Sequence, residues 1–247
     1  MKKIKQDIFE NLKKQNTKPY INFLSNNPNF KIYKYRSGND RNIDSLRNNK
    51  LWMACSTTMD DECDCGFLTI ENLDLLYENL CKLNTKFVEE KYSSLIKEGG
   101  KFLQKDTFIL CFGESSNNED LWCKYADNHK GFCVEYAIKD FLKFGLLPFP
   151  VVYSNREISI TNFANQSKCN NIFDIILQKN EKEWSQQDEW RIFNWRHNLK
   201  LNSTDTGCLI SVPHPTAIFY GNNINKKTLF ELKQIANNLN IPLIKEA

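Results

Sequence analysis

No run of apolar residues in this chain approaches the length that a bilayer crossing requires, and the mean hydropathy is -0.54, so a water-soluble protein is expected. An export signal is missing too. The opening MKKIKQDIFENLKK is basic, but Ile4, Ile8 and Leu12 form a helical stripe instead of a continuous apolar core. Charge of one sign is not in excess: 33 Lys and Arg stand against 30 Asp and Glu, a formal net charge of +3. The basic residues are dispersed, without RNA-recognition, helix-turn-helix or finger spacing, so a dedicated nucleic-acid reader is not indicated. Internal repeats and low-complexity segments are absent as well. The nine cysteines, at 55, 63, 65, 81, 111, 123, 133, 169 and 208, are an odd set scattered over expected strands and helices. That pattern speaks against a disulfide framework and for reduced, mostly buried thiols in a cytoplasmic protein. Cys63 and Cys65, with Cys55 upstream, lack both the two-residue gap of a zinc knuckle and a second pair, so no metal is expected there.

What is present reads as α+β: mixed, largely antiparallel sheets flanked by helices. With 247 residues, 41% hydrophobic and 26% charged, the chain can bury a sizeable core. Residues 1–28 read as an N-terminal helical arm interrupted at Pro19, a lid or a packing element. Residues 29–247 read as a single α+β domain with a helical insertion at about 69–100, where Leu73, Leu76, Leu80, Leu83 and Phe87 recur at helical spacing before Gly99 and Gly100.

The most informative stretch is Thr107 to Tyr136. Thr107 to Phe112 is an apolar strand bounded by Gly113. Ser116 and Glu119 form a capping-box pattern ahead of Leu121 and Trp122, which predicts a helix from about Asn117. Trp122, Tyr125 and His129 then share a helical face, and Gly131 supplies the left-handed stop. Along Phe132 to Tyr136 the apolar Phe132, Val134 and Tyr136 alternate with Cys133 and Glu135, so Glu135 points away from the plainly buried set.

Elsewhere, Asn29 to Tyr35 reads as a strand ending at Arg36, a place where a guanidinium could hold an anion. Lys50 to Cys55 is a second strand, leading into the turn Ser56 to Gly66 with Asp60, Asp61, Glu62 and Asp64, enough oxygen donors for a divalent cation but more often a solvated turn. Phe141 to Val152 is expected to cross irregularly, and Ile172 to about Glu183 to form a helix. Glu189 to Trp195 is a strand opening on a carboxylate, with Gln187 two residues before it. Cys208 to Val212 and Ala217 to Tyr220 are strands; Asn225 caps a helix from Lys226 to Leu239; Ile241 to Ile244 returns as a strand.

Lys34, Tyr35 and Arg36, the turn ending Met59, Asp60 and Asp61, Cys111 to Glu114, Leu121 and Trp122 with Tyr125 and Ala126, His129 to Glu135, and Glu189 to Arg191 stand in an order that resembles the bacterial domain-of-unknown-function family 2971. The likeness covers most of residues 30–222, with Met59, Asp60 and Asp61 where that family usually has Asn-Asp-Pro and Gly113 where it has Ser. The layout is also similar to the ADP-ribosyltransferase superfamily and its split sheet core. There a first strand ends in Arg or His, a middle strand carries a Ser-rich turn, and a late strand opens on Gln-x-Glu or Glu-x-Glu. This resemblance implies NAD as co-substrate and a protein or nucleic-acid acceptor. It implies Glu189, Gln187 and Arg36 as catalytic residues, with Tyr35, Ser56, Glu114, Ser115, Trp122, Tyr125, His129 and Glu135 as candidates for binding. No metal is expected in that chemistry. The residues leave two other readings open. One is a metal-dependent hydrolase or nuclease using Asp60, Asp61, Glu114 and Glu135 with His129 as base. The other is a noncatalytic ligand- or partner-binding domain, in which Trp122, Tyr125 and His129 recognise a ligand or a second protein.

Overall fold

The computed structural model describes residues 1–59, 105–154, 172–196 and 204–246. Two helices open it, α1 (Lys2–Lys13) and α2 (Lys18–Asn26), followed by strand β1 (Lys31–Arg36), helix α3 (Asp40–Arg47) and strand β2 (Lys50–Cys55). Then come β3 (Thr107–Phe112), the short helix α4 (Glu119–Tyr125), β4 (Phe132–Ala137), β5 (Phe149–Pro150) and β6 (Val152–Ser154). The C-terminal third holds α5 (Ile172–Leu177), β7 (Gln178–Asn180), α6 (Glu181–Trp184), β8 (Trp190–Trp195), β9 (Gly207–Ser211), β10 (Ala217–Tyr220), α7 (Lys226–Leu239) and β11 (Leu243–Lys245). Among the described residues no helix is long and apolar enough to cross a membrane.

The strands form a mixed, largely antiparallel α+β arrangement. A four-stranded sheet runs β1-β4-β10-β11 and a five-stranded sheet runs β5-β8-β3-β2-β9, with β6 and β7 as a separate parallel pair. Among the described strands only β10 with β11 and β6 with β7 are parallel. Among the described residues the two large sheets touch through one antiparallel bridge, between edge strand β1 and the residue just past β3, in which Tyr33 and Gly113 exchange both backbone hydrogen bonds at 2.9 Å. Beyond that bridge β1 and β3 part. Strand β3 is central in its sheet, and its continuous apolar sequence buries nearly every residue. On β4, Phe132, Val134 and Tyr136 enter the main core while Cys133 joins a second cluster with Tyr35, Leu121, Trp122 and Ala126, so both faces of that strand are covered.

Several local expectations need correcting. The α4 cap is Asn118, whose side chain accepts from Leu121 N at 3.1 Å; Ser116 instead lends its carbonyl to Trp122 Nε1 at 2.8 Å. Its helix therefore begins two residues later than the capping-box pattern suggests and ends at Tyr125. The chain reverses not at Gly131 but through Asp127, Asn128 and His129, all with positive φ (51°, 50° and 64°). Gly131 is required for another reason: a Cβ there would stand 2.1 Å from the Arg36 carbonyl oxygen. The helix expected from Ile172 to Glu183 is interrupted by β7, because Gln178–Asn180 pairs with β6. Glu189 precedes β8 rather than opening it, behind Asp188 in the left-handed conformation (φ 44°). Helices α1 and α2 place Ile8, Phe9, Leu12, Tyr20 and Phe23 in the main core. The helical insertion, the acidic turn from Asp60 and the Cys63–Cys65 pair lie outside the described residues.

Candidate functional site

Where β1 and β3 diverge, a cavity of about 220 Å³ opens, walled by the end of β1, by β2 and β3, and by the segment from Lys179 to Glu189. The alternation of β2 explains one wall: Leu51, Met53 and Cys55 are buried in the core, which turns Trp52 and Ala54 toward the cavity. The alternation of β3 turns Ile109 and Cys111 the same way.

Arg36 ends β1 in the cavity wall, and no carboxylate among the described residues pairs with it. Burial pulls its pKa down to about 10, which leaves the guanidinium cationic at neutral pH and its charge uncompensated. On the opposite wall, the 3-10 turn Ser185–Gln187 is tied to α4 by Asn118 Nδ2, which donates to Gln186 O at 2.6 Å. This turn presents Gln187, 6% exposed, whose Nε2 has no hydrogen-bond partner among the described residues. Trp184 Nε1, also in the wall and also buried, has none either. Two buried orphan donors and an unpaired cation facing one space make that space suited to an oxygen-rich anion.

Glu189 is held differently. It is 3% exposed, and its spacing from Arg191 puts both side chains on one side of the strand. Arg191, fully buried, donates from Nε to Glu189 Oε1 at 2.7 Å and from Nη2 to Oε2 at 3.2 Å, and its Nη1 donates to Ile176 O at 2.7 Å. Lys179 Nζ stands 3.5 Å from Glu189 Oε2. Tyr153 Oη accepts from Glu189 N at 2.9 Å. The carboxylate is thereby fixed in the cavity wall between two cationic side chains. Facing Arg191 across the register is Cys111, whose thiol pKa is pushed up to about 12 by burial and by the Glu189 charge.

Aromatic rings complete the lining. Tyr125 is 37% exposed, Trp52 carries the Arg41 guanidinium 4.2 Å from its ring centroid, and Trp184 carries Lys179 Nζ at 4.0 Å. Tyr35 is held by donating to Ser115 O at 2.7 Å while packing edge-on against Trp122.

Of the residues that the sequence singled out, Arg36, Gln187, Glu189, Tyr35 and Tyr125 line the cavity together. Six others are not in its wall. Ser56 is buried at the start of the 3-10 turn whose last residue, Thr58, faces the cavity. Glu114 lies 2.6 Å from Lys5 Nζ and accepts from Trp190 Nε1 at 2.7 Å. Ser115 touches Tyr35 only through its carbonyl; its hydroxyl accepts from Asn117 N at 3.0 Å. Trp122 is buried behind Tyr35. Glu135 accepts from Tyr33 Oη at 3.1 Å and Thr216 Oγ1 at 2.6 Å, with Lys31 Nζ at 3.3 Å. His129 stacks on Trp122 and faces Glu246 at 2.9 Å. Glu114, Glu135 and His129 thus have separate partners and do not converge on a metal. Among the described residues the His, Cys, Asp and Glu side chains that approach one another closely enough for that are Glu119, Cys123 and His129. The sequence reasoning missed Lys34, Trp52, Lys179 and Trp184 in the wall; for Trp52 the signal was available, since it alternates with the apolar set of β2.

Comparison with protein-family models, with curated proteins and with solved structures finds no match. The chemistry of the cavity therefore rests on its geometry.

Proposed function

We propose that the cavity binds NAD and that the protein is an ADP-ribosyltransferase-like enzyme acting on a macromolecular acceptor. The observation that carries this reading is the meeting of Arg36, Gln187 and Glu189, from three distant segments, around one aromatic-walled space. Breaking the nicotinamide–ribose bond sends its electron pair to the ring nitrogen of nicotinamide and leaves positive charge on the ribose. A fixed carboxylate in a dry wall stabilises that charge as it develops. Glu189 suits the task because Arg191 and Lys179 hold its carboxylate rigidly in the cavity wall, where the charge develops. Arg36 would take the diphosphate as a planar fork, and Gln187 Nε2 an oxygen of substrate or acceptor. The exposed ring of Tyr125 is available for stacking. The new bond forms from the acceptor nucleophile to the ribose carbon, and the acceptor's proton leaves to solvent. A volume of about 220 Å³ encloses one end of a dinucleotide, so the remainder lies at the mouth.

One observation favours a noncatalytic reading in which a nucleotide is only held: both oxygens of Glu189 are already engaged by cations. Calorimetric titration with NAD and chromatographic detection of nicotinamide separate the two. Binding with nicotinamide release, lost in Glu189→Gln while NAD affinity persists, supports the enzyme. Binding without release supports the holder. No binding of NAD, or an affinity that Arg36→Ala leaves unchanged, removes both.

A further inference from the structure

Behind Tyr35 and Trp122, on the side away from the cavity, a second group of side chains comes together. Glu119 and Cys123 are four residues apart on α4 and so share one face of it. The left-handed turn Asp127 to His129 brings the imidazole back over that face, fixed by Asn223 N donating to His129 O at 2.9 Å and by stacking on the Trp122 ring with an interplanar angle of 12°. His129 Nδ1 is engaged by the carboxylate of Glu246, at 2.9 and 3.0 Å, and Glu246 is itself only 7% exposed and accepts from Asn222 N. That orients Nε2 outward. It stands 3.1 Å from Glu119 Oε1 and 3.7 Å from Cys123 Sγ, and Sγ is 3.5 Å from the same Oε1.

We propose that Glu119, Cys123 and His129 form a zinc site, with Glu246 as the outer partner of the histidine and water in the fourth position. One sulfur, one imidazole nitrogen and one carboxylate oxygen are the donor types that zinc takes. Tetrahedral coordination at its usual bond lengths places such donors about 3.3–3.6 Å apart. The triangle seen here has edges of 3.1, 3.5 and 3.7 Å before any ion pulls on it. A buried carboxylate on the far nitrogen is the arrangement that fixes the tautomer and raises the basicity of a metal-bound histidine. Binding displaces the Cys123 thiol proton to solvent, so the ligand is a thiolate and the site gains affinity as pH rises. The ion would fasten α4 to the turn after it, which Glu246 already holds through His129 Nδ1. Gly131, two residues past His129, packs on the Arg36 carbonyl, so the same clip steadies the end of β1.

The test uses the whole chain, stripped with a chelator and titrated with Co²⁺ alone. One equivalent is expected to give a thiolate-to-metal charge-transfer band and intense four-coordinate visible bands, both displaced by Zn²⁺. Cys123→Ser removes the charge-transfer band, His129→Gln weakens binding at least tenfold, and Glu246→Gln weakens it by about 10- to 100-fold. The double change Cys63→Ser, Cys65→Ser leaves all of this unaltered. Circular dichroism establishes that each variant is folded. A measurement needing no variant is protection: Zn²⁺ slows iodoacetamide labelling of Cys123 in the unaltered chain. No charge-transfer band, a band that survives Cys123→Ser, or labelling of Cys123 indifferent to Zn²⁺ overturns the proposal.

Discussion

At the scale of single residues the dominant energetic commitment is the buried pair Glu189 and Arg191. Each solves the other's desolvation, and Arg191 has a further anchor in Ile176 O, so removing the acid strands a guanidinium that is fully buried. Breaking such a pair from one side costs about 3–5 kcal/mol. Glu189→Ala is expected to lose that much in urea denaturation, whereas Glu189→Gln, which still accepts from Arg191, loses less and is the variant for testing turnover. Cys111 gives a residue-scale prediction with a pH sign. Its thiol pKa is raised to about 12 by burial first and the Glu189 charge second, so the reactive thiolate is scarce at neutral pH and grows as pH rises. Iodoacetamide labelling of Cys111, followed by peptide mass spectrometry, is expected to rise about tenfold per pH unit from 8 to 10 without levelling off. A plateau near 9.0, the ordinary thiol value, contradicts it.

At the scale of elements, α4 is the hinge of the architecture, because its cap holds two walls at once. Asn118 Oδ1 accepts from Leu121 N while its Nδ2 donates to Gln186 O, next to Gln187. Asn118→Ala is expected to cost about 1 kcal/mol from the lost cap and, on the proposed reading, to lower NAD affinity by freeing the Gln187 turn. Ser116→Ala, which leaves the backbone carbonyl under Trp122 intact, changes stability by less than about 0.5 kcal/mol. Urea midpoints and calorimetry on the two variants read this directly. The same contrast explains what was legible in advance. Helix α7 was readable to its ends, since Asn225 caps it on Thr228 N and its apolar stripe is local. For α4, Ser116 and Asn118 are both good caps, and the choice is made by Tyr35 and Gln186, which are distant in sequence. Strand β7 was hidden inside a helical pattern because its partner is β6. Arg36, Gln187 and Glu189 could be picked out by their order along the chain, but Lys179 and Trp184 could not: which side of a strand or turn meets the cavity depends on how the sheets pair.

At the scale of the whole molecule, the described residues join the two sheets by one backbone bridge, at Tyr33 and Gly113, beyond which the cavity opens, and something must hold them at that angle. Helices α1 and α2 supply much of the hold. Ile8, Phe9, Leu12, Tyr20 and Phe23 are each at most 5% exposed, and Tyr20 Oη donates to Pro148 O at 2.8 Å beside β5 of the second sheet. Phe23 stacks on Trp190 of β8 with ring centroids 5.5 Å apart, and Lys5 neutralises Glu114 just past the bridge. Burying those five side chains contributes together on the order of 10 kcal/mol as an upper figure. An ordinary domain has a net stability of only about 5–15 kcal/mol. Helices α1 and α2 therefore pack as part of the main core. A chain beginning at residue 29 is expected to lose cooperative urea unfolding and to expose Trp190, with a red-shifted fluorescence. Phe9→Ala, a milder version of the same loss, is expected to cost about 3–5 kcal/mol while leaving one cooperative transition. If the shortened chain instead unfolds in a single sharp transition, the two sheets are held by their own bridge and the helices only cover them.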